Sequence, residues 1–185
     1  MGEQHKKHSR REHLNDFHLN VAGEYVYDGA LYACQSDDAK QHRIKRAVWG
    51  MAAILIVAVI AGGCIPAPGM QNCFYVLLPY LGEFLGAASV IWALAKLGTD
   101  WSAVREYNYK KSVAVLPVRT AVTAVFSLLG IVCELIFFFV NDHAGQTFFA
   151  LLYVLLKLTA LLSALVLRAE IMQAEWDKLP KKDNS

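Results

Sequence analysis

The sequence predicts an all-α polytopic membrane protein, a four-transmembrane-helix bundle with both termini cytoplasmic. Three observations lead there. Apolar residues make up 56% of the 185 and charged residues only 18%. A soluble domain of this length would spread its charges along amphipathic elements. Here they fall in blocks at 1–46, 96–119 and 168–185, with long apolar runs between them, the pattern of a chain that crosses a bilayer repeatedly. The third observation is one-sidedness. Of 18 Lys and Arg residues, eight precede the first apolar run, five lie between Lys96 and Arg119, four follow the last run, and Lys157 alone lies within a run. Segments 64–73 and 141–146 hold none. The positive-inside rule therefore puts both termini and the 96–119 loop in the cytoplasm.

The chain divides into a polar, basic N-terminal tail (1–46), a four-span domain (47–168, spans at about 47–63, 74–97, 120–140 and 147–167) and a C-terminal helix extension and tail (169–185). No cleavable signal peptide is expected, because the first apolar run begins behind a long charged segment. His5, His8 and His13 sit among basic residues without a Cys or carboxylate framework to set a coordination geometry, so no metal site is expected. In Gly23–Ala33, Tyr25 and Tyr27 alternate with small or charged residues and Asp28-Gly29 is a turn signal. A short hairpin, an interfacial segment, an ordered tail under the bundle and a docking site for a partner all remain open.

Span 1 is short and rich in small residues, which let helix backbones approach closely. The uncharged loop CIPAPGMQNC follows, stiffened by Pro66 and Pro68 and bracketed by Cys64 and Cys73. A disulfide would close a small ring on an oxidising face; free thiols are the alternative. Redox catalysis fits least, because it uses closely spaced pairs such as Cys-X-X-Cys. Span 2 carries Gly82-x-x-x-Gly86 followed by Ser89, a helix-packing stripe, and Pro79 one turn before Glu83. Gly98 ends it, and Thr99 and Asp100 offer an N-cap to a short surface helix in 101–111. In span 3, Thr120, Thr123, Ser127, Gly130 and Glu134 recur at steps of three and four residues, a polar and small stripe that faces helices and not lipid. In span 4, Ala150, Tyr153, Lys157, Ala160 and Ala164 share a face, and the helix is expected to continue to Pro180. All four Trp (49, 92, 101, 176) fall towards the basic side, as interfacial anchors would.

Spans 2 and 4 align without gaps at an offset of 74, which sets Glu83 opposite Lys157. Duplication of a two-helix hairpin would explain this, as would apolar composition alone. Glu83 and Lys157 lie on the order of 15 Å from the outer ends of their spans and Glu134 on the order of 9 Å. The three are expected to converge on one layer if their spans are neighbours. A charge at that depth costs about 3 kcal/mol, so each needs a partner. Two carboxylates against one ammonium leave one surplus negative charge, so the expected arrangement is a Glu–Lys pair that ties helices together, with the second Glu protonated or near the outer interface; a proton- or cation-coupled site and a ligand or partner-helix site are the alternatives.

No dinucleotide, P-loop, zinc-protease or Ser-nucleophile pattern is present, and no catalytic residue or cofactor is expected. Basic residues flank spans and do not line a folded face, so nucleic acid is not an expected partner. The expected role is a non-enzymatic accessory, regulatory or assembly subunit, multi-pass in the cell (cytoplasmic) membrane. It would meet a membrane or cytoplasmic protein through residues 1–46 and 99–118. The alternative is a small proton- or cation-coupled transporter, working as a homo-oligomer through Glu83, Glu134 and Lys157. A membrane thiol oxidoreductase is the least favoured.

Overall fold

The computed structural model describes residues 17–19, 25–27, 29–141 and 147–180. The histidines of the first 16 residues and most of the 141–146 turn lie outside them. Four helices are long and apolar enough to cross a membrane: α1 (Asp38–Cys64), α3 (Phe74–Leu97), α5 (Leu116–Val140) and α6 (Thr147–Gln173). The chain is an integral, multi-pass membrane protein. Among the described residues there are also two short helices, α2 (Pro68–Asn72) and α4 (Glu106–Lys111), and five short strands.

The second span falls on Phe74–Leu97. The others are longer than their apolar cores. Helix α1 starts at Asp38, well before Ala47, because DAKQHRIKR is made mostly of good helix formers and its Ile44 is fully buried. Helix α5 starts at Leu116, with Pro117 in the first turn, where its missing N–H costs nothing. Helix α3 stops at Gly98, whose φ of +69° disfavours any other residue. Asp100 caps no helix. It accepts from the Ser102 hydroxyl at 2.7 Å and the Ser102 N–H at 3.0 Å, and these bonds hold its carboxyl below the usual carboxylate range.

The spans pack in a ring, α1 on α6, α6 on α5, α5 on α3, with α3 and α1 closing it more loosely. So α3 and α6 lie diagonally, as do α1 and α5. Each span buries one stripe at three- and four-residue steps. In α1 it is Ile44, Val48, Ala52, Leu55, Val59 and Gly62; in α6, Ala150, Tyr153, Lys157, Ala160, Ala164 and Leu167; in α5, Thr120, Thr123, Ser127, Gly130, Glu134 and Phe137. Large residues such as Val57, Leu85, Leu128 and Leu151 point outward and are exposed, as a lipid-facing surface requires. Lipid is as apolar as leucine, so small residues and close contact hold the helices together. At Gly86 the backbones of α3 and α5 come close. A Cβ there would stand 2.6 Å from the Thr123 hydroxyl and 3.3 Å from its Cα.

The two ends of the bundle differ. At one end α2 packs over α3, α5 and α6. The uncharged loop expected as a stiff turn contains this short helix and is tucked in, with Ala67, Pro68 and Gly69 buried. At the other end lies a small sheet. Strand β3 (Leu31–Cys34) is central, with β4 (Val104–Arg105) and β5 (Trp176–Lys178) antiparallel on either side. Separately, β1 (Phe17–Leu19) pairs with β2 (Tyr25–Tyr27). So Tyr25–Tyr27 belongs to a hairpin, but its partner precedes it and Asp28-Gly29 is not the hairpin turn.

Strand β5 corrects the expectation of helix to Pro180. The helix ends at Gln173 because residues 176–178 gain more from the sheet. Gln35 N–H donates to Glu175 O at 3.0 Å and Leu179 N–H to Leu31 O at 2.8 Å. The Trp176 ring meets Trp101 at 5.5 Å and Tyr109 at 5.7 Å, and Tyr109 stacks on Tyr32 at 4.3 Å. Trp101 is accordingly buried and no headgroup anchor, whereas Trp49 and Trp92 are exposed.

Close packing at Gly86 and open space at Gly50 give a paired test. Gly86→Leu should lower the detergent melting midpoint by an amount equivalent to about 1–3 kcal/mol. Gly50→Ala, with nothing within 4 Å of the added Cβ, should hold or raise it. Equal midpoints for the two variants would contradict the α3–α5 contact.

Candidate functional site

The interior polar groups come from the buried stripes of three spans. Lys157 reaches from α6 to its diagonal neighbour α3. It passes Gly130 of α5, where a Cβ would stand 3.5 Å from Lys157 Cε. Its Nζ forms an ion pair with Glu83 Oε2, and both side chains are essentially fully buried. The other carboxylate oxygen, Oε1, accepts from the Ser127 hydroxyl at 2.6 Å. The ammonium also lies over two aromatic faces, 4.6 Å from the Tyr80 centroid and 5.0 Å from that of Tyr153, where the ring quadrupoles favour a cation. Thus Glu83 and Lys157 neutralise each other, and residues from α3, α5 and α6 complete their shell.

Glu134 does not join them. It is also fully buried, but it sits at the α2 end. Its Oε1 accepts a long hydrogen bond, 3.4 Å, from the Gly69 N–H, and its Oε2 has no hydrogen-bond partner among the described residues. Gly69 makes this possible, since a Cβ there would collide with the Glu134 carboxylate. The Tyr153 hydroxyl is likewise buried without a partner, within Coulombic reach of both Glu83 and Glu134. Among the described residues Lys157 makes no ion pair with Glu134. The three charges do not share one layer: they are the expected Glu–Lys pair and a separate carboxylate held by the buried turn.

Cys64 and Cys73 are free thiols in this structure, the first exposed at the end of α1 and the second half-buried ahead of α3. The segment between them is pinned through Gly69 and not through a bridge. Gly82 faces the Phe126 ring and Gly86 faces Thr123, both on α5. Ser89 donates to Gly86 O at 2.8 Å, and its own carbonyl accepts from Arg119 Nη1 at 2.6 Å, a second polar tie between α3 and α5. Sequence reasoning missed Tyr80, Gly69 and Arg119. Tyr80 could have been found, because it lies three residues before Glu83 and so on the same face. Gly69 could not, because loop composition does not reveal that a turn folds inward.

No family model matches the chain, and no curated protein or solved structure does.

The pair should behave as a unit. Glu83→Gln or Lys157→Met alone leaves one buried charge unpaired and should cost about 3–5 kcal/mol of stability. The double variant should lose less than the sum, since neither charge remains, whereas Glu134→Gln should cost less than either single change. Melting midpoints of the four variants in one detergent test this; additive losses for the pair would contradict the coupling.

Proposed function

We propose that the protein is a non-enzymatic accessory, regulatory or assembly subunit of the cytoplasmic membrane, with the sheet end in the cytoplasm and a protein partner docked there. One observation carries this reading. Three segments far apart in the chain, 31–34, 104–105 and 176–178, are knitted into a single sheet beneath the bundle. Such order outside the bilayer exceeds what joining four helices needs. The aromatic cluster of Tyr32, Trp101, Tyr109 and Trp176 stiffens it. Strand β5 has β3 on one side and, among the described residues, no strand on the other; Asp177 and Lys178 are exposed there. An open edge of this kind accepts an added strand from another chain. The Lys and Arg bias supports a cytoplasmic location for this end.

The neutralised Glu83–Lys157 pair supports a structural interior. A second reading, a proton- or cation-coupled transporter, is favoured by one observation: Glu134 Oε2 and the Tyr153 hydroxyl are both buried with no hydrogen-bond partner among the described residues. Intramembrane carboxylates of that kind recur in ion pathways.

Two measurements on the full chain separate the readings. Purification from the native membrane in mild detergent should retain a stoichiometric partner, and Lys178→Pro, which removes an N–H that points away from β3 towards the open β5 edge, should release it. Proteoliposomes of the purified chain should dissipate neither pH nor cation gradients faster than empty vesicles. Flux abolished by Glu134→Gln, with no retained partner, would replace the first reading by the second.

A further inference from the structure

One surface of α1 is used by neither reading. Where the helix passes from its charged N-terminal turns into the apolar span, two hollows of roughly 480 and 410 Å³ lie side by side. They share His42, Arg46 and Gly50, which recur every four residues and so form the ridge between them. Lys45, Trp49 and Thr99 line the first hollow. Arg43, Met51 and Ile54 help line the second. Each runs from cationic groups to apolar ones along the helix, in the order in which a phospholipid runs from phosphate to acyl chain. The ridge is low at Gly50, where nothing stands within 4 Å of a Cβ position.

Charge points the same way. Lys45 leans over the Trp101 ring at 5.5 Å and lies within Coulombic reach of Asp100. Arg43 and Arg46 are exposed and make no ion pair among the described residues. Two unpaired guanidiniums and a neighbouring imidazole suit phosphate, which guanidinium binds in a planar fork. Half-exposed Trp49 sits beside them, at the depth where tryptophan marks the membrane interface.

We propose that these hollows seat a single anionic phospholipid carrying two phosphates, one in each hollow, with the phosphates and their linkage at the level of His42 to Arg46, an acyl-bearing glycerol ester lying across the Gly50 notch, and acyl chains running past Met51 and Ile54. The surface is immersed in the bilayer boundary, where lipid headgroups are the abundant phosphate.

Native mass spectrometry of the full chain from detergent tests this with four probes: cardiolipin, phosphatidylglycerol, phosphatidylcholine and inorganic phosphate. Cardiolipin should be retained most strongly. Arg43→Gln and Arg46→Gln should each weaken its retention about fivefold, the equivalent of about 1 kcal/mol per surface charge. Gly50→Leu should weaken it without changing net charge. That variant fills open space with a better helix former, so its fold is not at risk, and its melting midpoint checks this. The proposal is overturned by retention of phosphatidylglycerol or phosphatidylcholine equal to that of cardiolipin. Displacement of the lipid by millimolar phosphate, which would make the site one for the free ion, overturns it too. So does a Gly50→Leu variant that keeps full cardiolipin retention, which would reduce the effect to diffuse surface charge.

Discussion

Everything in the bundle interior is arranged around one ion pair. An isolated charge near the bilayer centre costs about 3 kcal/mol, so Glu83 and Lys157 are tolerable only together. They sit on helices that face each other diagonally and not on packed neighbours. To meet, the lysine stem must cross the intervening helix, and α5 offers Gly130 at that level. The free carboxylate oxygen needs a donor, and Ser127, one turn away on the same stripe, supplies it. Ring order, the small residue at 130 and the hydroxyl at 127 are therefore linked choices. Changing one would expose the charge that the others shelter.

This geometry also bears on the 74-residue correspondence between the second and fourth spans. A two-fold axis along the membrane normal, relating one hairpin to the other, would set spans 2 and 4 diagonally and bring matched positions together at the axis. Glu83 and Lys157 are such a matched pair, and they meet there. The packing of α1 on α6 has its counterpart in that of α5 on α3. The correspondence is incomplete, because α1 and α3 pack more loosely than α5 and α6. A relation of this kind would join an acidic position in one half to a basic position in the other.

The two ends of the bundle meet different demands. At the α2 end a five-residue helix turns inward, and the Gly69 backbone meets the Glu134 carboxylate, so a connection of low polarity also seals three spans. At the opposite end the basic segments, which must stay in water, are ordered by a sheet and by ring stacking. Lys45 over Trp101 joins the first helical turns of α1 to that cluster. The exposed cationic groups left over, Arg43 and Arg46, lie on the N-terminal turns of α1.

Hydropathy and charge placement by themselves determined that there are four spans, the limits of Phe74–Leu97 and the residues that the third and fourth spans turn inward, because lipid penalises polar groups so heavily that periodicity alone separates the faces. The polar stripe from Thr120 to Glu134 was legible for that reason. Outside the bilayer that penalty vanishes, and local propensity was overridden by partners remote in the chain. Residues 174–179 look helical until Leu31–Cys34 offers hydrogen bonds and Trp101 offers a ring. Only the tertiary structure could decide that Lys157 takes Glu83 and leaves Glu134 to Gly69. Depth along a helix can be read from residue number, but which helices are neighbours, and whether a loop folds inward, depends on contacts that no single segment encodes.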